Sequence, residues 1–235
     1  MRRRRALITG AARGIGRAIA DELLADGHEV IGVDIITIDP NPSFPMLQAD
    51  LGQQVDRLRL IDRVGAIDIL VNNAAMLQEM SIDAFTPEEI ERTLAVNFVA
   101  PFVLTQALVP GMASRGWGRI VNIASIGART GGNTRSAPYA ASKAALVALT
   151  KNTARNHGAA GVTANAVAPG AIDTEMSRSQ MGVSNPALDQ LVAAIPVGRL
   201  GTSAEVANVV RFLVSDGASF VTGATIDVNG GWLMP

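Results

Sequence analysis

The chain has 235 residues, 48% of them hydrophobic, 17% charged and 4% aromatic, and its 20 Lys+Arg against 21 Asp+Glu leave a net charge of −1. That length suits one domain with a sizeable core, and the near-neutral balance sets up no long-range field for nucleic acid or an anionic membrane. With no cysteine, and with His28 and His157 far apart and lacking carboxylates at ligand spacing, disulfides, thiol catalysis and metal sites are all set aside.

In chain order, the basic run Arg2–Arg5 is followed by only Ala6, Leu7 and Ile8 before Thr9-Gly10. That is too short for a secretory segment, so the run reads as a lead-in to a first strand in a soluble, cytoplasmic protein. Strand-like apolar runs recur at Ala6–Thr9, Glu29–Asp34, Pro45–Gln48, Ile67–Asn72, Arg119–Ala124, Val162–Ala168 and Thr225–Val228. Helical patterns lie at Gly14–Ala25, Gln54–Val64, Pro87–Ala113, Ala140–Asn156 and Ser203–Ser215. The strands do not alternate strictly, as expected where both faces are buried, and strand alternating with helix predicts an α/β, doubly wound parallel sheet in a single domain, residues 1–235. Pro40, Pro42 and Pro45 forbid a proper helix between the second and third strands, which are expected to be joined by a loop. The most apolar window, Leu94–Val109, contains Asn97, Pro101, Thr105 and Gln106 and is shorter than the roughly 20 residues a membrane span needs.

Thr9 to Gly16 reads TGAARGIG, directly after the first strand and opening the first helix. Glycines there let the chain turn tightly and approach a pyrophosphate, which the helix N-terminus attracts. Thr9, Gly10, Arg13, Gly14, Ile15 and Gly16 are therefore candidate cofactor contacts. Asp34 lies 18 residues beyond Gly16, at the end of the second strand, where a carboxylate hydrogen-bonds ribose hydroxyls and repels a 2′-phosphate. This favours NAD. Arg13, whose guanidinium could reach a 2′-phosphate, keeps NADP open.

Tyr139-Ala-Ala-Ser-Lys143, the TGxxxGxG loop, Asn72-Asn73-Ala74-Ala75 and Pro169-Gly170 occur in the order and spacing of one family. From about Arg5 to Trp232 the chain resembles the short-chain dehydrogenases/reductases. The resemblance implies a Rossmann-type fold with about seven parallel strands. It departs in two places: Ala75 stands where the family has Gly, and Ser125 precedes Tyr139 by 14 residues, one more than is common. Tyr139 is the only tyrosine, and Lys143, four residues on, shares its helical face. A phenol of pKa roughly 10 needs a neighbouring cation to act near neutrality, and the ammonium with an oxidised nicotinamide would supply it. Ser125, at the end of the fifth strand, is placed to hold a substrate oxygen. Pro101 has no N–H for the carbonyl of Asn97, so the helix is expected to kink and leave that carbonyl to water; in the family the equivalent asparagine opens a proton relay to the lysine. By the same resemblance Asp50 and Leu51 contact adenine and Asn73, Ala74 and Ala75 the cofactor, while Pro169, Gly170, Ile172 and Thr174 clasp the nicotinamide carboxamide.

The function expected is an NAD-dependent oxidoreductase interconverting a secondary alcohol and a ketone, with Asn97, Ser125, Tyr139 and Lys143 as the catalytic group. One alternative is an NADPH-dependent 3-oxoacyl thioester reductase, which Arg13 and Val197-Gly198-Arg199-Leu200 resemble. Another is a nucleotide-binding regulatory protein without turnover. Residues 175–196, with Met176, Arg178, Met181, Val183, Leu188, Leu191 and Ile195, are expected to cover the substrate. Ala140, Ala141, Ala144, Ala145 and Ala148, the apolar helix around Phe98, Phe102 and Leu108, and the last helix and strand together predict a homotetramer.

Overall fold

In the computed structural model, residues 3–36, 43–132, 135–175, 177 and 186–234 are described. The strands are β1 (Arg5–Thr9), β2 (Glu29–Asp34), β3 (Met46–Gln48), β4 (Ile69–Asn72), β5 (Gly118–Ile123), β6 (Val162–Pro169) and β7 (Thr225–Val228). They form one seven-stranded sheet in the order β3-β2-β1-β4-β5-β6-β7, every pair parallel. The helices are α1 (Gly14–Ala25), α2 (Gln54–Val64), α3 (Pro87–Leu94), α4 (Ala100–Ser114), α5 (Gly127–Thr130), α6 (Ala137–His157), α7 (Pro186–Ala193) and α8 (Ser203–Val214).

The unbroken apolar runs of the central strands follow from their two buried faces. Ala6, Ile8, Val30, Ile69, Val71 and Val121 pack with Ile19 and Leu23 of α1 and Val206, Val210 and Leu213 of α8. Leu7, Ile31, Leu70 and Ile120 point the other way, onto Leu60 of α2 and Leu104, Leu108 and Met112 of α4. A period-2 strand thus shows apolar residues at every position because each face meets a helical layer. The chain winds outward from β1 to β3 and then returns to place β4 on the other side of β1. Loops leaving β1 and β4 diverge there and open a crevice at the carboxyl edge of the sheet.

Most predicted elements stand within a residue or two of their expected ends, as is usual for helix and strand boundaries. The described part of the β2–β3 connection contains no helix, and residues 37–42 lie outside the described residues. Two short helices, α5 and α7, are additions to the sequence reading. The long apolar helix is the main correction. It starts at a capping box in which Thr86 Oγ1 accepts the Glu89 N–H at 3.3 Å and Glu89 Oε2 accepts the Thr86 N–H at 2.9 Å. It runs 28 residues, Pro87–Ser114, long and apolar enough by composition to cross a membrane, so the shortness argument fails. Leu104, Leu108 and Met112 are nonetheless buried on the sheet, the packing of a core helix. Instead of a simple proline kink, a π turn, Ala95–Val99, separates α3 from α4. Such a turn accommodates the bond missing at Pro101, and it is found most often at functional sites.

Candidate active site

A cleft of ≈ 1290 Å³ lies over the carboxyl ends of β1, β2, β4, β5 and β6. Its floor begins at the glycine loop. Gly10 and Gly14 have φ of +69° and +57°, the left-handed region that favours glycine. A Cβ on Gly10 would meet Asn73 Nδ2 at 2.7 Å and Ala74 Cα at 2.9 Å, whereas one on Gly14 would meet only the Thr174 side chain, at 3.8 Å across the cleft. The first helix therefore presents its N-terminus to the open cleft, where unpaired N–H groups favour an anion. Gly10, Arg13, Gly14 and Ile15 line that space.

Thr9 and Gly16 do not line it; they shape the loop from beneath. The Thr9 hydroxyl accepts the N–H groups of Asn73 and Ala74, each at 3.0 Å, and Asn73 Nδ2 donates to the carbonyls of Thr9 (2.9 Å) and Gly10 (3.0 Å). A Cβ on Gly16 would land on the Gly10 carbonyl oxygen. The β4 loop thus clamps the glycine loop through Asn73, which also lines the cleft with Ala74 and Ala75.

At the far end Asp34 Oδ2 accepts the Ala12 N–H at 3.0 Å, and Oδ1 accepts that of Ile35 at 2.8 Å. Asp50 sits beside it. Burial raises its pKa, but the Arg92 guanidinium at 2.7 Å and the Gly52 N–H at 2.9 Å outweigh this and hold the carboxyl below the usual range. Arg92, not anticipated from sequence, lines the cleft with Asp34, Asp50 and Leu51. Arg13 pairs with Glu175 at 2.7 Å.

The opposite end gathers Ser125, Tyr139 and Lys143. Lys143 is 1% exposed, and its Nζ donates to the Ile123 carbonyl at 2.7 Å and lies 5.5 Å from the Tyr139 ring centre. Burial lowers its pKa to about 7. Burial also pushes the Tyr139 phenol up, and a hydrogen bond with the Ser125 side chain only partly opposes this. Both groups are thus desolvated at this end of the cleft, and burial opposes the charged form of each. Asn97, fully buried in the π turn, does not line the cleft. Its side chain accepts the Met76 N–H at 2.8 Å and donates to the Met76 carbonyl (2.9 Å) and Ser142 Oγ (3.0 Å). Ser142 in turn donates to the Tyr139 carbonyl at 2.6 Å, tying the first turn of α6 to the β4 loop. Ser142 was in view within the Tyr-x-x-Ser-Lys pattern, although the sequence reading assigned it no role.

Pro169, Gly170, Ile172 and Thr174 close the wall after β6. Gly170 N–H donates to the Val228 carbonyl at 3.0 Å, and Ser177 Oγ, also missed, donates to that of Ile172 at 2.7 Å. Met76, Leu77, Ile126, Leu191 and Trp232 add an apolar lining to the cleft.

This geometry agrees with what the chain is similar to. The family model described as enoyl-(acyl carrier protein) reductase matches residues 10–233. The 3-oxoacyl-(acyl-carrier-protein) reductase of Escherichia coli is 38% identical over 242 residues, 97% of each chain. The chain belongs to the short-chain dehydrogenase/reductase family. Acetoacetyl-CoA reductase of Rhizobium meliloti is 40% identical over 237 residues, 96% of this chain and 97% of that one. Among solved structures, aldohexose dehydrogenase of Thermoplasma acidophilum superposes with a TM-score of 0.90 at 31% identity, covering 98% of this chain and 94% of its own. A 3-oxoacyl (acyl-carrier-protein) reductase of Agrobacterium tumefaciens with NADP bound gives 0.89 at 33% identity, over 97% and 93%. As a short-chain dehydrogenase/reductase the protein is an NAD(P)-binding oxidoreductase of the alcohol/ketone class.

Proposed function

We propose that this short-chain dehydrogenase/reductase interconverts a secondary alcohol and a ketone with Tyr139 as general acid/base, and that it prefers NAD(H). The convergence of the Tyr139 phenol, the Ser125 hydroxyl and the buried Lys143 at one end of a cleft floored by the glycine loop carries this reading. A nicotinamide dinucleotide fits these residues and, when bound, provides the redox centre for hydride transfer. Tyr139 gives its proton to the carbonyl oxygen in reduction and takes it from the hydroxyl in oxidation. Ser125 donates to the same oxygen as charge develops on it. Lys143 spends one N–H on Ile123 and retains two donors for the ribose hydroxyls and the proton path. Asn97, with Ser142, holds the turn that carries Tyr139. Asp50 and Leu51 bound the adenine site, and Pro169, Gly170, Ile172 and Thr174 the carboxamide site. Leu191 and the buried Ile195 support a substrate-covering role for residues 175–196; Met176, Arg178, Met181 and Val183 lie outside the described residues.

Asp34 supports NAD because a 2′-phosphate would meet a carboxylate at the end of β2. A second reading, an NADPH-dependent 3-oxoacyl thioester reductase, is favoured by the names of the relatives and by the NADP in a solved neighbour. Turnover of a panel of secondary alcohols with NAD, and of acetoacetyl-CoA with NADPH, separates the two. Under the proposed reading kcat/KM for NAD exceeds that for NADP at least tenfold, and Asp34→Ala narrows the gap. A wild-type preference for NADP, with acetoacetyl-CoA the best substrate, selects the second reading. Failure of every substrate to turn over while NADH still binds would favour the non-catalytic alternative. The protein is further proposed to be a cytoplasmic homotetramer.

A further inference from the structure

Arg13 is the only cation of the glycine loop Thr9–Gly16, and its position bears on which dinucleotide the cleft accepts. Its guanidinium lies 2.7 Å from Glu175 Oε2, and both residues line the cleft. Glu175 follows Thr174, whose side chain faces Gly14 across the pyrophosphate space. The pair therefore bridges the glycine loop and the wall after β6, the side to which the reading above gives the carboxamide. At the adenosine side Asp34 occupies the corner after β2, with Oδ2 on the N–H of Ala12, the neighbour of Arg13. We propose that Glu175 is a cofactor-specificity residue: it holds Arg13 on the nicotinamide side and so withholds from a 2′-phosphate the one loop cation able to neutralise it.

This extends the NAD preference proposed above and adds a second determinant to Asp34. Two carboxylates act in different ways: Asp34 repels the phosphate directly, and Glu175 removes its counter-ion. Both partners of the pair are more than half exposed, so salt screens their attraction and the effect is moderate.

The test compares NADPH and NADH affinity by fluorescence titration in wild type, Glu175→Gln, Arg13→Ala and the double variant, which needs no turnover. Glu175→Gln is expected to raise the NADPH/NADH affinity ratio threefold to tenfold at low salt, less at high salt, and Arg13→Ala is expected to cancel that rise in the double variant. An unchanged ratio in Glu175→Gln, or an equal rise without Arg13, overturns the proposal. The wild-type ratio by itself reports on the NAD preference, so that reading can fail while the Glu175 effect stands, or the reverse.

Discussion

Tyr139 and Lys143 are i and i+4 neighbours on α6, yet burial acts on them in opposite directions, raising the phenol and lowering the ammonium. Tyr139→Phe removes only the oxygen that moves the proton. Turnover is expected to fall at least 10³-fold, about 4 kcal/mol of barrier, while NADH affinity measured by fluorescence stays within threefold. Retention of a rate within tenfold would remove Tyr139 from the reaction. For Lys143 the folded pKa, about 7, lies below the ordinary 10.5, so between these values the unfolded chain binds more protons than the folded one. Stability of the cofactor-free enzyme is then expected to rise with pH across that window, by up to about 1.4 kcal/mol per pH unit. Lys143→Met should flatten the rise. Denaturant midpoints at pH 7, 8 and 9 for both proteins measure it, and parallel curves would mean that the ammonium is not desolvated.

At the scale of elements, the glycine loop is held by the loop after a neighbouring strand as much as by its glycines. Asn73, on the loop after β4, donates to two carbonyls of the glycine loop, and Thr9 receives the N–H groups of residues 73 and 74 in return. Asn73→Ala leaves the Thr9 and Gly10 carbonyls without that donor. A loss of about 1–3 kcal/mol in unfolding free energy is expected, with NADH affinity reduced at least tenfold because the loop no longer holds its shape. Calorimetry and fluorescence titration on the same sample check both; a stability loss with unchanged affinity would make Asn73 purely structural. The α3–π turn–α4 unit works similarly. Its π turn delivers Asn97 to Met76 and Ser142, so three elements remote in sequence meet beside the Tyr139 turn.

Among the described residues, exposed apolar side chains occur in several places, including elements the sequence pointed to as interfaces. Ile90, Val99 and Phe102 are exposed on α3–α4 and the intervening turn, beside the exposed Ala141, Ala144 and Ala148 of α6. Elsewhere Phe212 of α8, Phe220 and Met234 are exposed, with Phe220 wholly in solvent. Leu108, by contrast, is buried in its own chain, so only part of the α4 apolar surface remains for a partner. Exposed apolar side chains of this kind suit two twofold interfaces and a closed tetramer of dihedral symmetry. Light scattering at micromolar concentration is expected to give the mass of four chains. A mass of two would leave one interface, and a mass of one would refute both.

The parallel sheet, the shape of the glycine loop, the place of Asp34 at the end of β2, and the Tyr139–Lys143 pair were all legible in the sequence because each rests on a local rule: a strand buried on both faces, glycine where φ is positive, an i,i+4 helical spacing. Tertiary structure alone decided the partners. Thr9 and Gly16 serve the loop rather than the cleft, Arg92 clamps Asp50, Asn97 bonds Met76 and Ser142, and Arg13 pairs with Glu175 on a distant segment of the chain. A polar side chain is satisfied by whichever group the fold brings within 3 Å, and periodicity carries no record of contacts between distant segments.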